Sequence, residues 1–446
     1  MANKKLSRQK RIRKQKFLRT SLLLIIAIIL VGLLLSLFPL FEGINQNDDP
    51  TISASDASSD LTPKEPYKTA SASIGSTGDL LIHDPIFKGV KQSDGSYDFT
   101  DIFTTVKPYF EQYDLMVANL EVTLAGDSRA YSGYPIFNCP DSIIDAATKG
   151  GIDMLLTANN HTYDTGFDGL RRTMEVLKNK SVPFIGTRQS ESESIYTIKD
   201  INGIKIGMVC YTYSTTTSDG RKALNGNILK TEAGPLVNTF DYYKLDEFYS
   251  EAESVIKEMK QNGAEATIIY IHWGNEYVRK PNSYQTKMAQ KICDIGYDVI
   301  VGGHPHVLEP IDTLKSENGH ETVCLYSTGN TVSNQRKERM DSDNYSGHTE
   351  DGIILGVTFD KYSDGKVVLS DVSILPLWVD MTRVNGKNQY KIIPLDINRL
   401  EDWDNLVMTK VSSAKASYNR TMKIVGEGVN AYRKSCGLSE YITEVE

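Results

Sequence analysis

The chain has 446 residues, 40% of them hydrophobic and 24% charged, ordinary proportions for a globular protein with a sizeable core. Its net charge of −8 is unevenly spread: nine Lys or Arg and no acid fall in the first nineteen residues, leaving 40 basic against 57 acidic residues, about −17, in the rest. A body so acidic repels nucleic acid, and five scattered cysteines with no C-x-x-C pair argue against a zinc knuckle or a disulfide framework.

Residues 1–20 form a basic tail that runs into SLLLIIAIILVGLLLSLFPLF, residues 21–41, without a charge. As a helix this run spans about 31 Å, which matches the ~30 Å hydrocarbon core of a bilayer. The basic flank places the N-terminus in the cytoplasm and everything downstream outside. The run is longer than the apolar part of a cleaved signal peptide and lacks a small-residue cleavage site. An uncleaved signal anchor is therefore expected, giving a single-pass protein of the cell membrane with an extracellular main domain. Residues 42–70 are rich in Asn, Asp, Ser, Thr and Pro, and predict a disordered linker that spans roughly 30 Å.

From residue 71 to 398 apolar runs alternate with amphipathic segments. LMVA (115–118), IDMLL (152–156), TIIYI (267–271) and DVIV (298–301) read as buried strands. Helices are predicted over 167–179, 246–261 and 283–295, the second with Phe248, Ala252, Val255, Ile256 and Met259 on one side and Asn262-Gly263 as its stop. Hairpins are predicted at Asn202-Gly203 and at Asp364-Gly365. The pattern argues for an α/β domain with one mixed sheet or a pair of sheets. Residues 399–446 read as a helical, polar C-terminal extension.

Five strand-to-loop junctions end in polar residues: Asp79; Asn119 and Glu121; Asn159, Asn160 and His161; His272, with Glu276 beyond; and His304 and His306. Ligands of open α/β sheets bind beyond the carboxyl ends of the strands, so these junctions can converge. Oxygen and imidazole donors without thiolate suit Mn, Fe, Zn or Mg. In GGHPH, Pro305 favours an extended His304, and two rings two residues apart would then point the same way, toward one metal or two. Each piece has an ordinary alternative: His at a strand end is often a hydrogen-bonded surface residue, and Asp164 or Thr165 can cap the following helix.

The ordered motifs STGDLLI, NLE, ANNHTYDTGFDGL, HWGNEY, GGHPHVLEPI and YSTGN resemble the CapA/PgsA family of poly-γ-glutamate capsule biosynthesis proteins, distant members of the calcineurin-like metallophosphoesterase superfamily. The resemblance implies a four-layer α/β/β/α sandwich. It implies one or two divalent metal ions held by Asp79, Glu121, Asn160, His272, His304 and His306, with His161 as the catalytic histidine. Asn119, Glu276 and Arg279 are substrate-binding candidates at the rim. It also implies polymer synthase or export subunits as partners. Two departures stand out: Leu81 occupies the histidine position of the superfamily's D-x-H motif, and Asn119-Leu120-Glu121 replaces its bridging-aspartate motif. Three functions follow: a membrane-anchored component of capsule-polymer synthesis or export, an extracellular metal-dependent hydrolase of phosphoester or amide bonds, or a non-catalytic scaffold.

Overall fold

The computed structural model describes residues 65–340 and 346–446. The basic tail, the anchor expected over 21–41 and all but the end of the expected linker lie outside the described residues. Among the described residues no helix is long and apolar enough to cross a membrane.

The chain builds half of one sheet, then a whole second sheet, and then returns to finish the first. Strands β1 (Lys68–Leu80), β2 (Leu115–Leu120), β3 (Met154–Leu156) and β4 (Phe184–Ile185) are laid down in parallel order. The second sheet takes β5 (Tyr196–Ile201), β6 (Ile204–Thr216), β7 (Lys222–Leu224), β8 (Asn227–Ile228), β9 (Thr239–Asp241), β10 (Ala266–His272), β11 (Val299–Gly303), β12 (Leu308–Lys315) and β13 (Glu321–Thr328). Then β14 (Asn330–Val332), β15 (Asp351–Tyr362), β16 (Val367–Val384) and β17 (Lys387–Pro394) join the first sheet, giving the order β17-β16-β15-β1-β2-β3-β4 with β14 also against β1. The fold is thus mixed α/β with two sheets.

Three apolar layers follow from strands buried on both faces. Ile74, Val117 and Leu355 of the first sheet pack against Ile206, Ile268 and Val301 of the second. The outer face of the first sheet is covered by Ile143 and Ala147 of helix Ser142–Lys149, together with Phe103, Phe110 and Leu177. The outer face of the second is covered by Phe248, Val255 and Met259 of helix Leu245–Gln261 and by Met288 and Ile292 of helix Ser283–Ile295. That last helix starts at a reciprocal Asn282–Gln285 capping box and stops at left-handed Gly296, φ 100°.

The three predicted helices and both predicted hairpins form. A further hairpin joins β16 to β17 at Asn385-Gly386, both left-handed. Helix Val411–Ser435 is more than a polar extension: Ala414, Tyr418, Met422, Val425 and Val429 bury one stripe in the inter-sheet core, and the helix packs on β12 and β16. All five cysteines are free thiols, with only Cys436 exposed.

Candidate metal centre

Strand parity decides which side chains reach the cleft between the sheets. In β2, Leu115 and Val117 face the other sheet while Met116, Ala118 and Leu120 face the outer helices, so Asn119 and Glu121 prolong the inward series. In β10, Ala266, Ile268 and Tyr270 face inward and His272 follows them. β1 changes parity: Ala72 and Ile74 face inward, but Leu80 and Ile82 face outward. The switch is a bulge, because the register against β2 shifts between Thr77 and Asp79. It turns Asp79 toward the second sheet. Glycine is required at the skipped position, since a Cβ on Gly78 would lie 1.9 Å from the Gly329 carbonyl oxygen.

The structure gathers Asp79, Glu121, Asn160, His272, His304 and His306 in one buried cluster. Glu121 belongs to two groups, one with His272 and His304 and one with Asp79 and His306, and in each the donor atoms lie within 4.8 Å of one another. His306 Nδ1 is 3.0 Å from Asp79 Oδ2, and Glu121 Oε1 is 3.4 Å from His272 Nε2 and 3.8 Å from His306 Nε2. Asn160 Oδ1 lies 2.8 Å from His272 Nε2. The His272 and His304 ring centroids are 4.8 Å apart, and Tyr213 packs on His304 at 4.9 Å.

The extended reading of H-P-H does not hold. β11 ends at Gly303, and His304 and His306 are both left-handed, with φ 98° and 56°. Inward parity in β11 runs through Val299 and Val301 to Gly303, so a continued strand would aim both histidines away from the cleft. The left-handed turns bring them back, and the two rings serve different groups. Positive φ on histidine, next to a proline that disfavours it, is the kind of local strain that a site stores.

A second layer holds the carboxylates. Asn119 Nδ2 donates to Asp79 Oδ1 at 2.8 Å and to Glu121 Oε2 at 3.1 Å, and its Oδ1 accepts from Asn159 Nδ2 at 3.0 Å. Both N–H groups of the Asn119 amide are thus spent on the two carboxylates. Burial raises the Asp79 carboxyl, but hydrogen bonding and charge from His306 outweigh it and leave Asp79 below the usual range. Burial, then the Asp79 charge, pushes Glu121 well above it. Burial brings His272 down to about 3 and His304 well below its ordinary value, so both rings are neutral, as metal ligation requires.

These residues fit a divalent ion. Glu121 Oε1 and His304 Nδ1 are buried with no hydrogen-bond partner, although both belong to one donor group. Orphaned buried polar atoms cost free energy, which a cation between them would recover. Leu81 lies 1% exposed in the apolar layer outside the first sheet, so the group of Asp79, Glu121 and His306 keeps three side chains. His83 joins neither group. Its Nδ1 sits 3.1 Å from the Leu81 carbonyl oxygen and 3.3 Å from the Asn334 amide, and burial pushes its pKa down to about 4.

His161 is 5% exposed, edge-on to Phe137 at 4.7 Å, with Nδ1 2.8 Å from Asp164 Oδ2. That carboxylate also accepts from the Phe137 amide at 2.8 Å. The Thr165 N-cap of helix Gly166–Asn179 makes no side-chain capping bond, so Asp164 serves the histidine and caps nothing. Glu276 and Arg279 are exposed, and Arg279 Nη1 donates to His348 Nε2 at 2.8 Å. Sequence reasoning placed Asn159 at a converging junction without a role, missed Tyr213, and took Asp164 only for a cap. The i, i+3 spacing of H-T-Y-D was the available signal for Asp164.

Comparison with known proteins decides the family. The family model described as bacterial capsule synthesis protein PGA_cap matches residues 73–335, more than half of the chain. The chain belongs to that family. It is 25% identical over 270 residues to the capsule biosynthesis protein CapA of Bacillus anthracis, which covers 58% of this chain and 59% of the relative. It is 27% identical over 279 residues to the PGA biosynthesis protein CapA of Bacillus subtilis, covering 61% of this chain and 67% of the relative. An NAD 5′-nucleotidase of Haemophilus influenzae is 31% identical over 221 residues, 48% of this chain but 32% of the relative. The matched part thus spans between about a third and two thirds of these relatives.

Proposed function

We propose that this chain serves the synthesis or export of a capsule-type, poly-γ-glutamate-like polymer at the outer face of the cell membrane, through a centre that binds one or two divalent metal ions. The family and the two CapA relatives support the polymer. The charge pattern of residues 1–41 supports the anchor and an extracellular domain, with synthase or export subunits as partners in the membrane. The two-sheet core between helical layers supports a four-layer metallophosphoesterase-type sandwich. The observation that carries the reading is Glu121, one buried carboxylate common to both donor groups.

Glu121, Asn160, His272 and His304 would hold one ion, and Asp79, Glu121 and His306 the other. Such an ion lowers the pKa of a water to ~7 and polarises a phosphoryl or carbonyl oxygen. Asn119 and Asn159 keep the carboxylates in place. His161, with Nδ1 tied to Asp164, presents Nε2 to a bound substrate as an electrostatic contact or a proton donor to a leaving group.

A second reading, a metal-dependent hydrolase of phosphoester bonds, is favoured by this His161–Asp164 pair and by the likeness to a nucleotidase. Elemental analysis of the natively purified chain tests the centre: transition metal at one or two equivalents is expected, and none would overturn it. Polymer output in cells carrying His161→Ala separates the readings, because wild-type output would leave the centre a structural role.

A further inference from the structure

A groove of about 1170 Å³ lies between the 277–280 loop, β12 and helix Val411–Ser435. It exceeds the ~300–1,000 Å³ of pockets that enclose small ligands. Its wall is fixed, because the helix meets β12 so closely that a Cβ on Gly428 would lie 1.8 Å from the Ile311 carbonyl oxygen.

The groove carries exposed cations in an otherwise acidic body. Arg279 and Lys280 stand on the loop and Lys423 on the helix, all exposed, and among the described residues none of them forms an ion pair. Arg420 between them is committed to Asp351 at 2.8 and 2.7 Å. The His348 ring accepts from Arg279 at 2.8 Å and, held down to about 4 by burial and by the Arg279 and Arg420 charges, is neutral. It therefore aims the guanidinium without adding to or cancelling its charge. Two acids, Asp312 and Glu427, also border the groove, so the exposed cations stand three to two.

One end of the groove reaches the centre. Tyr277 lines the groove, and its ring centroid lies 6.3 Å from that of His306. Its amide donates to the Pro305 carbonyl at 2.8 Å, between the two histidines.

We propose that this groove holds a segment of a carboxylate-bearing anionic polymer and leads it past Tyr277 to the metal centre. The proposal rests on the capsule-polymer reading above and adds the track and its cations. Exposed guanidinium and ammonium groups with no carboxylate partner among the described residues, on an otherwise acidic molecule, are where such a chain meets least repulsion.

The test compares the full chain in detergent with the variant Arg279→Gln/Lys280→Gln/Lys423→Gln, using a fluorescent γ-linked glutamate decamer and anisotropy at low salt. Both proteins keep the basic tail, so their difference reports the groove. Affinity is expected to fall about tenfold, with a shallower salt dependence and unchanged metal content. Equal affinity, or a decamer that does not bind the wild type, overturns the proposal. So does a variant that binds the decamer normally but loses anionic vesicles, which would make the groove a lipid-facing surface. Metal content is read separately: a decamer that fails to bind while the ions are present overturns the groove and leaves the centre, and a metal-free wild type that binds the decamer more tightly than the variant overturns the centre and leaves the groove.

Discussion

The first sheet brings Asp79, Glu121 and Asn160 to the centre, while the second brings His272, His304 and His306, and the two sides are held by different means. On the oxygen side, two asparagine amides tie the carboxylates together through bonds of 2.8 to 3.1 Å. On the imidazole side, His304 Nδ1 has no partner, and the rings of the H-P-H segment are placed by backbone angles of 98° and 56°. The carboxylates are preorganised by asparagine hydrogen bonds, and His304 by backbone conformation alone, while His306 and His272 also meet Asp79 and Asn160. A side chain fixed by its backbone keeps its lone pairs free, whereas a buried carboxylate without donors would protonate.

Four experiments press on that difference. Glu121→Gln, which replaces by an amide the carboxylate both donor groups share, is expected to abolish binding of either ion; elemental analysis showing one full equivalent would break the shared role. Next, His304→Ala and His306→Ala should each cost one ion and spare the other, while the double variant loses all metal. If the single variants lost both ions alike, the division of the imidazoles between two groups would fall. Asn119→Ala leaves Asp79 and Glu121 in place but strips their shared amide donor. It should weaken metal affinity about 10–100-fold and cost roughly 1–3 kcal/mol of stability, read by chelator competition and denaturant melts. A variant that matches the wild type in both would show that the oxygen side needs no network.

The fourth experiment concerns a buried carboxyl on β12. Glu309 is buried, accepts from Gln285 at 2.6 Å, and burial pushes its carboxyl up to about 8. Between the ordinary value of ~4.3 and about 8, the folded state holds a proton that the unfolded state has released. Stability therefore falls as pH rises through that window, by up to ~1.4 kcal/mol per unit. Glu309→Gln should flatten the difference between melts at pH 5 and pH 8, and an unchanged slope would assign the dependence elsewhere.

The strand ends carrying Asp79, Glu121, Asn160, His272, His304 and His306 are legible because a buried apolar run followed by a polar residue is a local pattern. The same holds for the Asn202-Gly203 and Asp364-Gly365 hairpins. What directs those side chains is not local. The bulge at Gly78 depends on register against β2, and the turn at His304 reverses the extended preference that Pro305 predicts. The bonds of Asn119 to Asp79 and Asn159, each 40 residues away, are hidden from sequence for the same reason. The C-terminal helix was readable from the 4-4-3-4 spacing of Ala414, Tyr418, Met422, Val425 and Val429, a stripe hidden by its polar residues.

The route of the chain gives the centre one more property. Asp79 meets His306 across 227 residues, and the second sheet is completed before the first. No contiguous fragment short of that span contains the group, so loop closure must precede ion capture. Binding energy then falls only on molecules in which early and late segments have already met, and it stabilises the finished fold over partly folded ones. A bound ion would therefore act as a clasp that closes last.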